Sequence, residues 1–262
     1  MDNEVKQANR KALPKFLLIL LASAVVGGVI GFFAAMYGLD EITVNLKDAG
    51  LLFGMYVAPW SLVAMAVILP IICTPIYRGA KKLLAAWDGE DEGISEAAEK
   101  KLSIVLWITS MGSILSFFLI AAAYSGGIES FDSDESTILF FVSVAAFLAL
   151  TVEAIVFQQK SVDAARKTNP EKEGSVFDVK FQKKWMDSCD EAEKIIIGKC
   201  AYKAFTATNG ICAALAIVLA ICALIFDIGF LPSLAVCLIW LVNQSVYCRE
   251  AIRVSKAGCK IS

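Results

Sequence analysis

Histidine is absent from all 262 residues. That absence excludes a Ser-His or Cys-His nucleophile pair. It also excludes His-ligated haem and the usual His-bearing zinc sites. Charge is scarce: 19% of the chain is Asp, Glu, Lys or Arg, against about 25% in a soluble domain. The net charge of −2 comes with no basic groove interleaved with aromatics, so no nucleic-acid partner is expected. Eight cysteines are present, at 73, 189, 200, 212, 222, 237, 248 and 259, but no C-x-x-C spacing occurs. Without histidine they make a poor zinc set. Cys237, Cys248 and Cys259 recur every 11 residues, about three helical turns, and share a helix face. They read as small packing residues, and neither metal nor other cofactor is expected.

What the chain has instead is apolar residues, 58% of the total, with a mean hydropathy of +0.66. They fall in six runs: 16–37, 51–77, 103–124, 138–157, 205–226 and 231–247. About 20 helical residues cross the hydrocarbon core. The runs lack the alternation of barrel strands, so helices are the expected solution. The first run follows Lys6, Arg10, Lys11 and Lys15 but is too long for a signal peptide and precedes no A-x-A site; it reads as a retained anchor. The expected fold is an all-α membrane protein, a single six-span domain over 1–262 built as three antiparallel hairpins.

Lysine and arginine set the expected orientation. Segments 1–15, 78–102, 158–204 and 248–262 hold 4, 5, 10 and 4 of them, 23 of the 24. The alternate loops, 38–50, 125–137 and 227–230, hold only Lys47 among eight acidic residues. The basic set belongs in the cytoplasm, with both termini. The exterior loops are too short to fold as a domain. Pro59-Trp60-Ser61-Leu62-Val63-Ala64 and Pro232-Ser233-Leu234-Ala235-Val236 echo one another weakly, which chance similarity of apolar spans also explains.

Two cytoplasmic segments have content. In 78–102, Lys81, Lys82 and Trp87 sit where interfacial anchors belong, an acidic run reads as a solvated turn, and Ser95 is the expected N-cap of the next helix. In 158–204, the fourth helix is expected to continue to Lys167, with Asn169-Pro170 breaking it. Phe177, Phe181 and Trp185 recur every four residues among Lys180, Lys183 and Lys184. That is a basic helix with an aromatic face. It either lies in the membrane surface or covers the cytoplasmic ends of the bundle. Ser188-Cys189-Asp190-Glu191 matches a capping box, with Ser188 as cap and Glu191 reaching back.

Asn169-Pro170-Glu171-Lys172, Gly174-Ser175-Val176-Phe177-Asp178, Lys180 to Trp185 and Ser188 to Lys194 together resemble the signature stretch of the domain-of-unknown-function 3169 family. These are uncharacterised multi-pass membrane proteins, found mainly in Gram-positive bacteria. The specific match covers about 169–203. The resemblance implies a bacterial cytoplasmic-membrane protein and brings no catalytic residue with it.

Intramembrane polar groups are few. Glu153 lies near the cytoplasmic end of the fourth run, and Asn209 and Asn243 near those of the last two. Together they form a candidate polar site for transport; the plainer reading ties each to a neighbouring helix. Pro59, Pro70 and Pro75 are expected to bend the second span, with Pro75 stopping it. Ser23, Gly27, Gly31 and Ala35 form a small-xxx-small row suited to close helix packing. Gly112 with Ser116, and Gly210 with Ala214, repeat that spacing. The function expected is a non-enzymatic accessory or regulatory subunit acting through the cytoplasmic face. The alternative is a small transporter or channel. Beyond lipid, the partners expected are another membrane protein or further copies of the chain.

Overall fold

The computed structural model describes residues 14, 17, 18, 21, 22, 25, 28, 29, 32, 48–125, 134–172, 175–226 and 229–258. These are helical or in turns, with no strand among them. A π-helical turn, Phe53–Val57, leads into α1, Ala58–Ala86. Then follow α2, Glu92–Ala123, α3, Asp134–Ala165, and the short α4, Phe181–Asp187. The last two are α5, Glu191–Phe226, and α6, Leu231–Gly258. Five helices are long and apolar enough to cross a membrane, which makes this a membrane protein by length and composition: Asp48–Ala86, Glu92–Ala123, Asp134–Ala165, Glu191–Ala223 and Leu231–Arg253. They cover the second to sixth apolar runs, apart from residue 124 of the third and 224–226 of the fifth. The described positions of the first run are helical, but Ser23, Gly27, Gly31 and Ala35 lie outside the described residues.

Helix ends differ from the expectation in a consistent way. Pro75 does not stop α1, which runs on to Ala86. Pro59 lies inside the continuous helix Asp48–Ala86, directly after a local widening of its turn. The wider π turn sits just upstream, closed by the Ala58 N–H donating to the Phe53 carbonyl. Such a turn relieves the clash a proline ring makes with the carbonyl four residues before it. The N-cap of α2 is Asp91, not Ser95: its Oδ1 accepts from the N–H groups of Gly93 at 2.9 Å and Ile94 at 3.2 Å. The residues between α1 and α2 form a tight turn. Asp88 Oδ1 accepts from the N–H groups of Glu90 and Asp91, and Gly89 adopts φ +98°, a region that favours glycine. Those two backbone donors hold the Asp88 carboxyl below its usual range.

The chain divides into two compact units, 45–195 on the one hand and 1–44 with 196–262 on the other. In the first, α1, α2 and α3 pack against one another. Gly54, in the π turn that leads into α1, lies so close to the end of α2 that an added Cβ would sit 2.3 Å from the Ala122 carbonyl and Ser125 Oγ. Toward the other end, a Cβ on Gly79 would meet Lys101 at 3.0 Å, and at mid-length one on Gly112 would meet Leu69 at 2.9 Å. The register is therefore antiparallel. Phe117 against Phe147 and Tyr124 against Phe140 extend the same sense to α3. The core runs through Ala58, Leu62, Leu69, Cys73, Val105, Leu119, Ala146, Leu150 and Phe157. Ala58, Cys73 and Ala146 sit among its leucines, and Gly54, Gly79 and Gly112 allow the close helix approach that packing in lipid favours, where apolar burial no longer drives association. The buried hydroxyls of Thr109, Ser116 and Ser143 bond to carbonyls three or four residues back on their own helix.

In the second unit, Asn209 on α5 accepts from Trp240 Nε1 at 3.1 Å and Asn243 Nδ2 at 3.3 Å on α6. Phe205 stacks on Tyr247 with ring centroids 4.4 Å apart.

Candidate functional site

The segment between α3 and α5 closes over one end of the three-helix unit. Its local fold begins with α3 ending at Ala165 and a turn through Thr168. Asn169 Nδ2 donates to Glu99 Oε1 on α2 at 2.9 Å, and the Thr168 hydroxyl reaches the same oxygen at 3.3 Å. This pins the chain to α2 at the point where Asn169-Pro170 leaves the helix. Arg166 Nε then donates to the Lys172 carbonyl at 3.0 Å, folding the chain back on α3. Further on, Gln159 Oε1 accepts from Ser175 Oγ at 3.0 Å and the Val176 N–H at 2.9 Å.

Lys172 is the centre of the arrangement. It is 4% exposed and pairs with the Glu193 carboxylate on the first turn of α5. Its ammonium stands 5.9 Å from the Trp185 ring centroid, within cation–π range. Burial pushes the Lys172 ammonium down, but hydrogen bonds to Glu193 and Cys189 outweigh it and hold the group above the ordinary lysine range. Glu193 also closes the N-terminus of α5. Its Oε2 accepts from the Asp190 N–H at 3.0 Å, while Asp190 Oδ1 accepts from the Glu193 N–H at 2.7 Å. The reciprocal capping box expected here is thus Asp190 with Glu193, two residues beyond Ser188 and Glu191. Ser188 instead donates to the Trp185 carbonyl at 2.9 Å. Cys189 is buried and bonds the same carbonyl through Sγ at 3.2 Å.

The aromatic face divides. Residues 175–180 are turns, with Asp178 Oδ1 accepting the Lys180 N–H at 2.9 Å. Only Phe181 and Trp185 share the seven-residue helix α4, their rings 5.7 Å apart. Both are half-buried and line the cavity described below. Phe177, 71% exposed, and Val179, fully exposed, project from the turn. Lys180 and Lys183 are exposed beside them, and Lys184 pairs with Asp178 at 2.6 Å. An eleven-residue helix with three aromatics on one face is therefore not what forms. Asp178 caps a turn in its middle, and that local bonding competes with helix.

Beneath the segment is a cavity of about 500 Å³. Its floor is α2 and α3, through Leu102, Leu106, Ser161 and Val162; its rim carries Glu99, Asn169, Lys172 and Glu193. None of these rim residues stands out in the sequence as a group, because they meet only when the segment folds back over both helices.

The intramembrane candidates are placed as follows. Asn209 and Asn243 meet, as above. Glu153 lies in the other unit, on the α3 face that carries buried Leu150, Ala154 and Phe157. Its Oε2 is buried with no hydrogen-bond partner among the described residues. Cys237 and Cys248 are exposed, and Cys259 lies outside the described residues.

The family model described as "Protein of unknown function (DUF3169)" matches residues 10–251. No curated protein and no solved structure matches the chain.

Proposed function

The chain belongs to the DUF3169 family of proteins of unknown function, and from that premise we propose a non-enzymatic membrane protein, an accessory or regulatory subunit that acts through its cytoplasmic face. The contact surface is the turn 175–183. One observation carries this reading: Phe177 and Val179 are presented to solvent beside Lys180 and Lys183 by a segment that Ser175 and Val176 tie to Gln159 and Lys172 ties to Glu193. Exposed apolar residues held on a fixed scaffold and rimmed by charge are the usual signature of an interaction site. The proposal includes the setting: six crossings of a bacterial cytoplasmic membrane, both termini inside, as the Lys and Arg distribution supports.

The test is purification from native membranes in mild detergent, for the wild type and for Phe177→Asp with Val179→Asp. A stoichiometric protein partner retained by the wild type and lost from the variant is expected. A wild type that runs alone, with no change of growth when 175–187 is deleted, ends the proposal.

A second reading, a small transporter or channel, rests on the unpartnered Glu153 Oε2 facing the other helices of its unit. It requires flux in reconstituted vesicles that Glu153→Gln abolishes.

A further inference from the structure

We infer that the cavity under the 166–193 segment is a binding site for an ammonium group carried on a small apolar body. The inference concerns a ligand inside the cavity and does not rest on the docking surface at 175–183.

Size comes first. About 500 Å³ is within the range of small-molecule sites and far more than a trapped water needs. The lining is two-sided. Leu102, Leu106, Val162 and Phe181 give it an apolar wall, and Glu99, Lys172 and Glu193 sit at the polar end.

Charge and hydrogen bonding then decide what fits. The three ionisable side chains sum to one negative charge. The one cation, Lys172, is paired with Glu193 and stands against Trp185, and the Asn169 amide donates to Glu99. The carboxylates keep spare acceptors. Glu99 takes both of its bonds on Oε1, and Glu193 takes its bonds on Oε2. Each keeps its second oxygen without a partner among the described residues.

A second observation is independent of the carboxylates. Ser161 lines the same cavity, is 0% exposed, and its hydroxyl has no hydrogen-bond partner among the described residues. The other buried serines and threonines of this unit spend theirs on the helix backbone. An orphaned buried hydroxyl costs roughly 1–3 kcal/mol unless something in the cavity meets it. Spare acceptors, net negative charge and an apolar wall select a cation that donates hydrogen bonds and has a hydrophobic body. An anion would face two carboxylates, and the single cation of the lining, Lys172, is already paired with Glu193.

The probe is phenethylammonium, with phenethyl alcohol and phenylacetate as the neutral and anionic controls of similar shape. The full chain in phosphatidylcholine nanodiscs is titrated with each by isothermal titration calorimetry. Saturable binding of phenethylammonium alone is expected. Glu99→Gln removes one spare charged acceptor and is expected to weaken binding at least about tenfold. Leu106→Trp fills the cavity from its wall, leaves the carboxylates in place, and is expected to abolish binding. Unchanged thermal melting of each variant establishes that it is folded; a variant that melts early is replaced by Val162→Phe, which fills the same space from α3. Equal binding of the alcohol, or binding that survives a folded cavity-filling variant, overturns the inference, as does the absence of any binding. Nanodiscs containing phosphatidylethanolamine separate two sources of the same chemistry. Competition by that lipid assigns the site to a lipid headgroup amine, and its absence assigns it to a free amine. Loss of a protein partner in the Phe177→Asp, Val179→Asp variant is a separate result, since neither residue lines the cavity.

Discussion

At the scale of the residue, Lys172 carries most of the argument. A lysine at 4% exposure is tolerable only with a charge partner and further contacts. Glu193, Cys189 and the Trp185 ring supply them. Lys172→Met leaves Glu193 without its cation, and we expect a loss of about 2 kcal/mol. That is below the roughly 3–5 kcal/mol typical of breaking a fully buried pair, because the Glu193 side chain is 36% exposed and water screens it. The pH dependence has a definite sign. The folded-state pKa of Lys172 is raised, so its stabilisation is complete below the ordinary lysine value of 10.5 and is lost as pH rises through the raised value. Thermal melts of wild type and Lys172→Met in the same detergent should differ by a constant amount near neutral pH, and the gap should close above pH 10.5. A gap that closes on mild acidification instead would place the stabilisation elsewhere.

At the scale of the element, the helices were legible and their ends were not. Apolar runs of about 20 residues dictate helices in lipid whatever the tertiary packing. Caps depend on which of several competent side chains the chain actually turns at. Near α2 the choice lay between Asp91 and Ser95, and near α5 between Ser188 and Asp190; in both cases the aspartate caps. At α5 the reason is tertiary: Glu193 must close the box while also meeting Lys172, so its N3 position fixes Asp190 as the cap. The same dependence hid the cavity. Glu99, Lys172 and Glu193 are far apart in sequence and carry no shared spacing. The division of the aromatics followed from Asp178, whose turn a four-residue periodicity does not register. If the cap is placed correctly, Asp190→Ala should cost about 1 kcal/mol of stability. Ser188→Ala should cost less, since the Ser188 hydroxyl donates to the Trp185 carbonyl of the preceding turn and does not cap α5. Urea titration of the two variants, read by far-UV circular dichroism, ranks them; the reverse order would restore Ser188 as the cap.

At the scale of the whole molecule, the two compact units present different surfaces. In 45–195 the three long helices share a buried core, whereas α5 and α6 bury little of their apolar windows among the described residues. Lipid is the medium that makes both arrangements stable, because exposed leucine, isoleucine and phenylalanine carry no penalty there. The orientation in that lipid follows from charge rather than packing. The turn at 88–91 and the segment 166–193 lie at the same end of the three-helix unit, since Glu99 near the start of α2 bonds Thr168 and Asn169 just past α3. The helix joining Asp134 to that end is long enough to cross. If α3 crosses, Asp134 and Glu171 lie on opposite sides of the bilayer, and the ten Lys and Arg of 158–204 favour the cytoplasm for the Glu171 side. An alkaline phosphatase reporter, active only outside, should be active when fused after Asp134 and inactive after Glu171. Activity at both positions would mean that α3 does not cross. Activity at Glu171 alone would invert the molecule, and would expose the 175–183 surface and the cavity beside it to the exterior.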